Sequence, residues 1–153
     1  MPWAGGVLRV VTDGIRFVAL GAVRRDDELL VWEGESPSGE PFYRLLGGGV
    51  EFDEHSREAV VREFDEEIGV ELLDPTAVGT FERVFERDGE PGHEVWRVYE
   101  GRIAEDWPYA DESFAFVEPE RGTEHVARWL SIERLRHPDV AFYVPEILDA
   151  LTA

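Results

Sequence analysis

Between Gly47 and Gly69 the chain changes character twice, and no other stretch restricts its fold as tightly. Phe42 to Leu46 reads as a short strand, and Gly47-Gly48-Gly49 is expected to break it. From Arg57 to Ile68 the apolar residues Val60, Phe64 and Ile68 recur at i, i+4 and i+8 with Val61 beside them, which predicts a helix with one buried stripe. Ser56 is placed to cap its start and Gly69 its end. The rest of that helix is acidic. Glu63 and Glu67 stand four apart on one face, and Glu66 lies alongside. Like charges at this spacing repel by a few tenths of a kcal/mol per pair. In isolation such a face is ordinarily solvated surface. It also suits a hard divalent cation, because Mg²⁺ and Mn²⁺ take carboxylate, water and phosphate oxygens. Glycines just before the helix let the backbone approach a ligand closely, so a carbonyl there can join the shell.

The remaining elements follow from alternation and turn residues. Strands are expected at Ile15 to Arg24, Glu28 to Glu33, Glu71 to Leu73, Val78 to Arg87, Glu94 to Ile103 and Glu124 to Leu130. Turns or loops fall at Asp26-Asp27, Gly34 to Pro41, Asp74-Pro75 and Asp88 to Gly92. Ala104 to Gly122 reads as a long acidic, aromatic loop. Ser131 caps a helical turn ending at Leu135, and Val140 to Leu151 reads as a terminal helix with Phe142, Ile147 and Leu151 inward. Met1 to Asp13 suits an extra strand or a dimer arm. Many strands with one central and one terminal helix point to an α+β fold, an α/β/α sandwich, and the 153 residues to a single domain spanning 1–153.

With 34 acidic residues against 15 basic ones, the net charge is -19. Such a surface repels duplex nucleic acid and anionic membranes, although bound cations can invert the field locally. Without cysteine there is no thiolate catalysis and no zinc-thiolate site. The first residues lack the basic and apolar runs of a signal peptide, and no apolar run nears the roughly 20 residues that span a bilayer. A cytoplasmic protein is expected.

Gly48 to Val70 resembles the Nudix box, Gly-x5-Glu-x7-Arg-Glu-U-x-Glu-Glu-x-Gly-U with U bulky and apolar, at every defined position. Gly48, Glu54, Arg62-Glu63, Glu66-Glu67 and Gly69 supply the fixed residues, and Phe64 and Val70 the apolar ones. Phe42 to Gly48 resembles the strand that leads into the box, and Glu124 to Leu130 the closing strand. Many members have proline where this chain has Leu46, and glycine where it has Asp53. The resemblance implies a Nudix fold, a central mixed sheet flanked by helices. It implies a Mg²⁺- or Mn²⁺-dependent pyrophosphatase acting on a nucleotide-type small molecule: a nucleoside triphosphate, ADP-ribose, a nucleotide sugar or a dinucleoside polyphosphate. Glu63, Glu66, Glu67 and the carbonyl region of Gly48 would hold metal. Arg62 would orient the carboxylates and Glu54 would assist. A homodimer is a family expectation.

The general base is expected on the helix at Glu63 or on a later loop at Glu124, with Glu112, Glu118 and Glu120 as weaker rivals. Arg44, Gly47 and Gly49 are candidates for substrate contact. Trp107, Tyr109 and Phe114 either stack on a base or pack beneath their loop. His93 is a turn histidine with or without a ligand, and Trp32 and Trp129 look like core. A non-catalytic nucleotide-binding or regulatory module on the same fold is the competing class. Its usual marks, a degraded box and an attached effector domain, are missing here. Isomerase or repair chemistry on this fold stands further back, because isomerases of this type need additional ligands or a cysteine.

Overall fold

The computed structural model describes residues 14–119 and 121–152, so the Met1 to Asp13 segment and Glu120 lie outside the described residues. In chain order the elements are β1 (Ile15–Arg25), β2 (Glu28–Glu35), β3 (Pro41–Gly49), α1 (Ser56–Ile68), β4 (Leu72–Arg87), β5 (Glu90–Ile103), β6 (Ser113–Val117), β7 (Glu124–Ser131), α2 (Ile132–Leu135), β8 (Ala141–Phe142) and α3 (Glu146–Thr152). The strands make one sheet in the order β4-β5-β1-β3-β2-β7-β6, with β8 on β3. The sheet is mixed: β1 runs parallel to β5 and β3 to β8, and the other pairs are antiparallel.

Helices cover both faces. On one, Ala19, Val23, Leu30 and Leu46 meet Val60 and Phe64 of α1. On the other, Val18, Leu20, Val31 and Leu45 meet Leu135 of α2 and Ile147, Leu148 and Leu151 of α3. β1 is therefore buried on both sides, which accounts for its unbroken apolar run from Val18 to Val23. This is the α/β/α sandwich expected from the sequence. The apolar stripe of α1 is the buried one, and Gly69 ends the helix at φ 72, its N–H donating to Asp65 O.

Five local readings need correction. The glycine triplet does not break β3. The strand pairs with β2 from Pro41 to Leu45, then changes partner and pairs with β1 from Leu46 to Gly49. Gly47, at φ 147, sits at the crossing, where a Cβ would lie 2.1 Å from Ala19 O. Asp74-Pro75 does not separate two strands but forms an irregularity within β4, with Asp74 at φ 50. α1 is capped by His55, whose N–H donates to Glu58 Oε1 at 3.4 Å; Ser56 is already helical and its Oγ bonds the Tyr99 hydroxyl at 2.6 Å. The Ala104 to Gly122 segment holds a 3₁₀ turn (Trp107–Tyr109) and β6, which pairs with β7. The terminal helix begins only at Glu146, because Val144 at φ 60 and Pro145 stop helical geometry from extending back to Val140. The α2 cap is as expected, with Ser131 Oγ accepting from Arg134 N at 3.0 Å.

Candidate active site

The partner change of β3 brings Gly48 and Gly49 beneath the acidic side of α1. The Glu63 carboxylate lies over Gly48 so closely that a Cβ there would be 2.5 Å from its Cδ. The loop from Val50 to His55 closes on itself, since Glu51 N donates to Glu54 Oε1 at 3.0 Å. Asp53 takes φ 69 in this loop. That backbone region favours glycine, and aspartate is among the few other residues that tolerate it, so the departure from glycine keeps the turn.

Arg62 is the hub. It grips Glu54 with two bonds, Nε to Oε2 at 2.7 Å and Nη2 to Oε1 at 3.0 Å. Its Nη1 donates to Glu63 Oε1 at 3.0 Å and Glu66 Oε2 at 3.1 Å, and its Nη2 to Gly49 O at 3.0 Å. These contacts hold the Glu54 carboxyl below the usual carboxylate range. They also stabilise the Arg62 cation beyond its ordinary strength, with Glu54 the largest contributor. A lysine keeps the charge but cannot reproduce the planar fork. Arg62→Lys is therefore expected to lower stability by about 1–3 kcal/mol, read as a fall in the denaturant midpoint at constant slope. An unchanged midpoint would mean that the network adds nothing to the fold.

Glu67 is half-buried rather than the surface carboxylate its sequence position suggests. Burial is the main force on it, and with the opposing pull of Arg44 and the push of Glu63 its carboxyl rises from an ordinary 4.5 to about 9. Burial raises Glu63 as well, against the pull of Arg62. The two face each other across one turn within hydrogen-bonding reach. Among the described residues no three acidic or histidine side chains converge on a cation position. Arg62 accounts for this, drawing Glu54 and Glu66 to itself. The donor chemistry nevertheless fits a hard divalent cation: two half-buried carboxylates facing each other favour a positive charge between them, and Glu66 is on the same helix one turn from Glu63.

Arg44, on β3, lies within electrostatic reach of Glu67 and stacks over Trp32, 4.8 Å from the ring centroid. Beyond it a groove of about 580 Å³ is lined by Trp32, Gly34, Phe42, Glu124 and His125, among others. Trp32 meets Phe42 and His125 edge to face, each at 5.3 Å. Trp129 is core as expected, and Trp32 is half-buried, packing against the α1-side core with its ring also forming a groove wall. Trp107 and Phe114 pair at 5.0 Å within their segment, and Tyr109 stacks on Trp129 of β7. Glu124 is exposed on the groove rim, whereas Glu118 is the later acid whose charge reaches Glu67. Glu118 is itself bonded to His125 at 3.2 Å. His93 lies in β5, not in a turn, and bonds Glu82 at 2.7 Å. Gly47 is buried at the crossing and the Gly49 carbonyl is taken by Arg62.

Arg16, Arg83 and Glu94 were not singled out from the sequence, yet they form a cross-strand row on the sheet face away from α1, with Glu94 opposite both arginines. Their alternation was legible, but the long-range parallel pairing of β1 with β5 was not.

The same fold occurs in known structures. A MutT NUDIX hydrolase from Burkholderia pseudomallei superposes with a TM-score of 0.66 at 24% identity, over 91% of this chain and 99% of that one. A NUDIX hydrolase from Nitrosomonas europaea gives 0.63 at 18%, over 91% and 87%. An Ap4A hydrolase from C. elegans gives 0.55 at 15%, over 90% and 94%. A search of curated protein sequences returns no match. The sequence profile of the NUDIX domain matches residues 15–151, nearly the whole chain. The chain thus belongs to the NUDIX family.

Proposed function

We propose that this chain, as a single domain, is a divalent-metal-dependent pyrophosphohydrolase that cleaves a diphosphate bond in a nucleoside-diphosphate-linked small molecule. The observation that carries this reading is the half-buried Glu63–Glu67 pair of α1, with Glu63 over Gly48 and Arg62 binding Glu63, Glu54 and Glu66. Glu63, Glu66, Glu67 and a carbonyl near Gly48 would hold Mg²⁺ or Mn²⁺. Bound there, the cation would neutralise charge developing on the diphosphate oxygens as the bridging bond breaks.

The protein's own groups divide the remaining work. Arg62 fixes Glu54, Glu63 and Glu66 relative to one another, so that ligand geometry exists before substrate arrives. Glu54, held ionised by two hydrogen bonds, is a poor proton acceptor and serves position. Glu63 on the helix takes the proton from the attacking water. Of the later acids, Glu118 is better placed than Glu124 to assist, and Glu118→Gln with Glu124→Gln would separate them by kcat. Arg44 meets a substrate phosphate, and the walls Trp32, Phe42 and His125 suit a flat heterocycle. Fold likeness to an Ap4A hydrolase is compatible with such a substrate but does not select it.

The test is metal-dependent hydrolysis across nucleoside triphosphates, ADP-ribose, nucleotide sugars and dinucleoside polyphosphates, with released phosphate followed by a coupled assay. Turnover of one class that chelator abolishes supports the proposal. Tight nucleotide binding with no turnover of any class would favour the non-catalytic binding module.

A pH signature follows from the same carboxylates. The folded protein holds the Glu67 proton more tightly than the unfolded chain does, so without metal stability falls as pH rises from about 5 to about 9. The depressed Glu54 acts oppositely, adding stability above the ordinary carboxylate range that is lost in acid. Thermal melting in chelator should therefore decline toward pH 9, and Mg²⁺ should raise Tm more at pH 8.5 than at pH 6. An Mg²⁺ effect independent of pH would contradict the pairing of proton and cation.

A further inference from the structure

Trp32 and His125 stand on the paired strands β2 and β7, on the sheet face that α1 covers. Trp32 packs against the core on that side, and His125 tilts on Phe116 of the same core at 5.5 Å. The Trp32 and His125 rings meet edge to face at 5.3 Å, and Trp32 meets Phe42 in the same way, also at 5.3 Å. Gly34 is the floor beneath the Trp32 and Phe42 rings, since a Cβ there would fall 2.4 Å from Phe42 Cζ and 2.7 Å from Trp32 Cζ3. Tyr143 stacks on Phe42 at 4.8 Å and steadies it. Strand alternation puts Phe42, Arg44, Leu46 and Gly48 on this one face of β3. The aromatic groove and the Glu63 carboxylate over Gly48 therefore share a strand face.

His125 is held by a partner of its own. Its Nε2 lies 3.2 Å from Glu118 Oε2, and both side chains are about one-fifth exposed. Glu118 follows β6 and anchors the turn into β7, its N–H donating to Thr123 O at 2.9 Å and its carbonyl accepting from Gly122 N at 2.8 Å. A carboxylate only accepts, so the proton of a neutral imidazole sits on Nε2 and Nδ1 is left as an acceptor. Among the described residues neither His125 Nδ1 nor the Trp32 indole N–H has a partner, and no buried side-chain nitrogen or oxygen goes without one, so both atoms are open to solvent. Both residues line the groove. The groove thus presents an acceptor on one ring and a donor on the ring beside it.

We propose that His125, set by Glu118, reads the edge of a heterocycle lying in this groove and selects an amino group beside a bare ring nitrogen, the adenine pattern, over the inverted keto pattern of hypoxanthine. The amino group donates to His125 Nδ1, and the ring nitrogen accepts from Trp32 Nε1. Hypoxanthine carries an oxygen where the amino group stood and an N–H where the bare nitrogen stood, so both contacts fail. His125 is the specificity-determining residue, and Glu118 is a positioning residue that acts by fixing its tautomer. For its biological meaning, the choice of an adenine nucleotide as substrate, this rests on the proposed hydrolase reading. Recognition of the heterocycle needs neither metal nor diphosphate.

Nuclear magnetic resonance on the full chain, in chelator at pH 8, tests it with adenosine and inosine as probes. Neither nucleoside carries a phosphate, so the net charge of -19 and the carboxylate pair do not enter. Adenosine should shift the Trp32 indole and His125 ring signals and bind about tenfold tighter than inosine, the effect of a hydrogen bond made against one lost. The His125 ring nitrogens should report the Nε2–H tautomer. His125→Phe keeps a ring between Trp32 and Phe116 and should bring the two nucleosides to equal affinity. Glu118→Gln, whose amide donates as well as accepts, should free the tautomer and lower the preference, whereas a purely structural role for Glu118 would leave the ratio unchanged. The two variants sit at different places in the chain, so a folding defect in one, seen by circular dichroism, leaves the other as the test. Equal affinity in the wild type, tighter binding of inosine, or no shift of the Trp32 and His125 signals with adenosine would overturn the proposal. Well-folded variants that keep the wild-type preference would overturn it too. Failure here and failure of the hydrolase reading are separable. A His125-dependent adenosine preference without hydrolysis of any substrate class removes only the enzyme, and hydrolysis without a base preference removes only the selection at His125.

Discussion

Glu67→Gln is expected to lower kcat by about two to four orders of magnitude and to leave the protein at least as stable as the wild type in chelator at pH 8. The two effects have one origin. In the proposed enzyme Glu67 must lose its proton to hold the metal, and Gln cannot supply that charge. Without metal the same charge is unwelcome, because Glu67 is half-buried and faces Glu63. Gln keeps the shape and stays neutral at every pH. The decline of Tm between pH 6 and 9 should accordingly flatten in the variant. Steady-state kinetics and thermal melts on the same preparation read both. Full activity would remove Glu67 from the ligand set. A variant that melts well below the wild type at pH 8 would show that the carboxylate is satisfied without metal.

Gly47→Ala should destabilise the protein by more than about 3 kcal/mol. At φ 147 an L-residue is strained, and the added Cβ would sit 2.1 Å from the Ala19 carbonyl oxygen. Neither partner can yield, since Ala19 is fully buried in β1 between two other strands. Chemical denaturation measures the loss, and a soluble, wild-type-like variant would mean that β3 can cross differently. The neighbouring Gly48→Ala is a useful contrast. There the clash is with the end of the Glu63 side chain, which can move, so the damage should fall on activity more than on folding.

The contrast between these glycines shows what the sequence made legible. The helix from Arg57 to Ile68, its glycine cap and its apolar stripe were readable because helical periodicity is local. The carboxylate positions were readable for the same reason, and the box resemblance fixed their grouping. Gly47 was misread because glycine in a strand pattern ordinarily signals a break, whereas here it permits a change of partner that only long-range pairing reveals. Asp74-Pro75 failed likewise, as an irregularity tolerated inside β4. The base candidate Glu124 came from the resemblance, as the acid just before the closing strand; it stands exposed at the start of β7, and the charge of Glu118, which the sequence ranked lower, reaches Glu67. Trp32 alternates like a core residue and does pack on the core, but nothing local shows that it also walls a groove. The Arg16–Glu94–Arg83 row needed a parallel pairing across 78 residues.

The crossing at Gly47 also sets a length scale. Arg44, beside the aromatic groove, and Gly48, beneath the carboxylates, belong to the same strand and are joined by hydrogen-bonded backbone rather than by a loop. The span between the place where a heterocycle would lie and the place where a bond would be cut is therefore a rigid ruler, graduated by one bend. Lengthening or shortening a surface loop would not change it. In the proposed enzyme substrate reach would be altered by exchanging the side chains that mark the ruler, Trp32, Phe42 and Arg44, and variants at those three positions are where a shifted cleavage point would first be found.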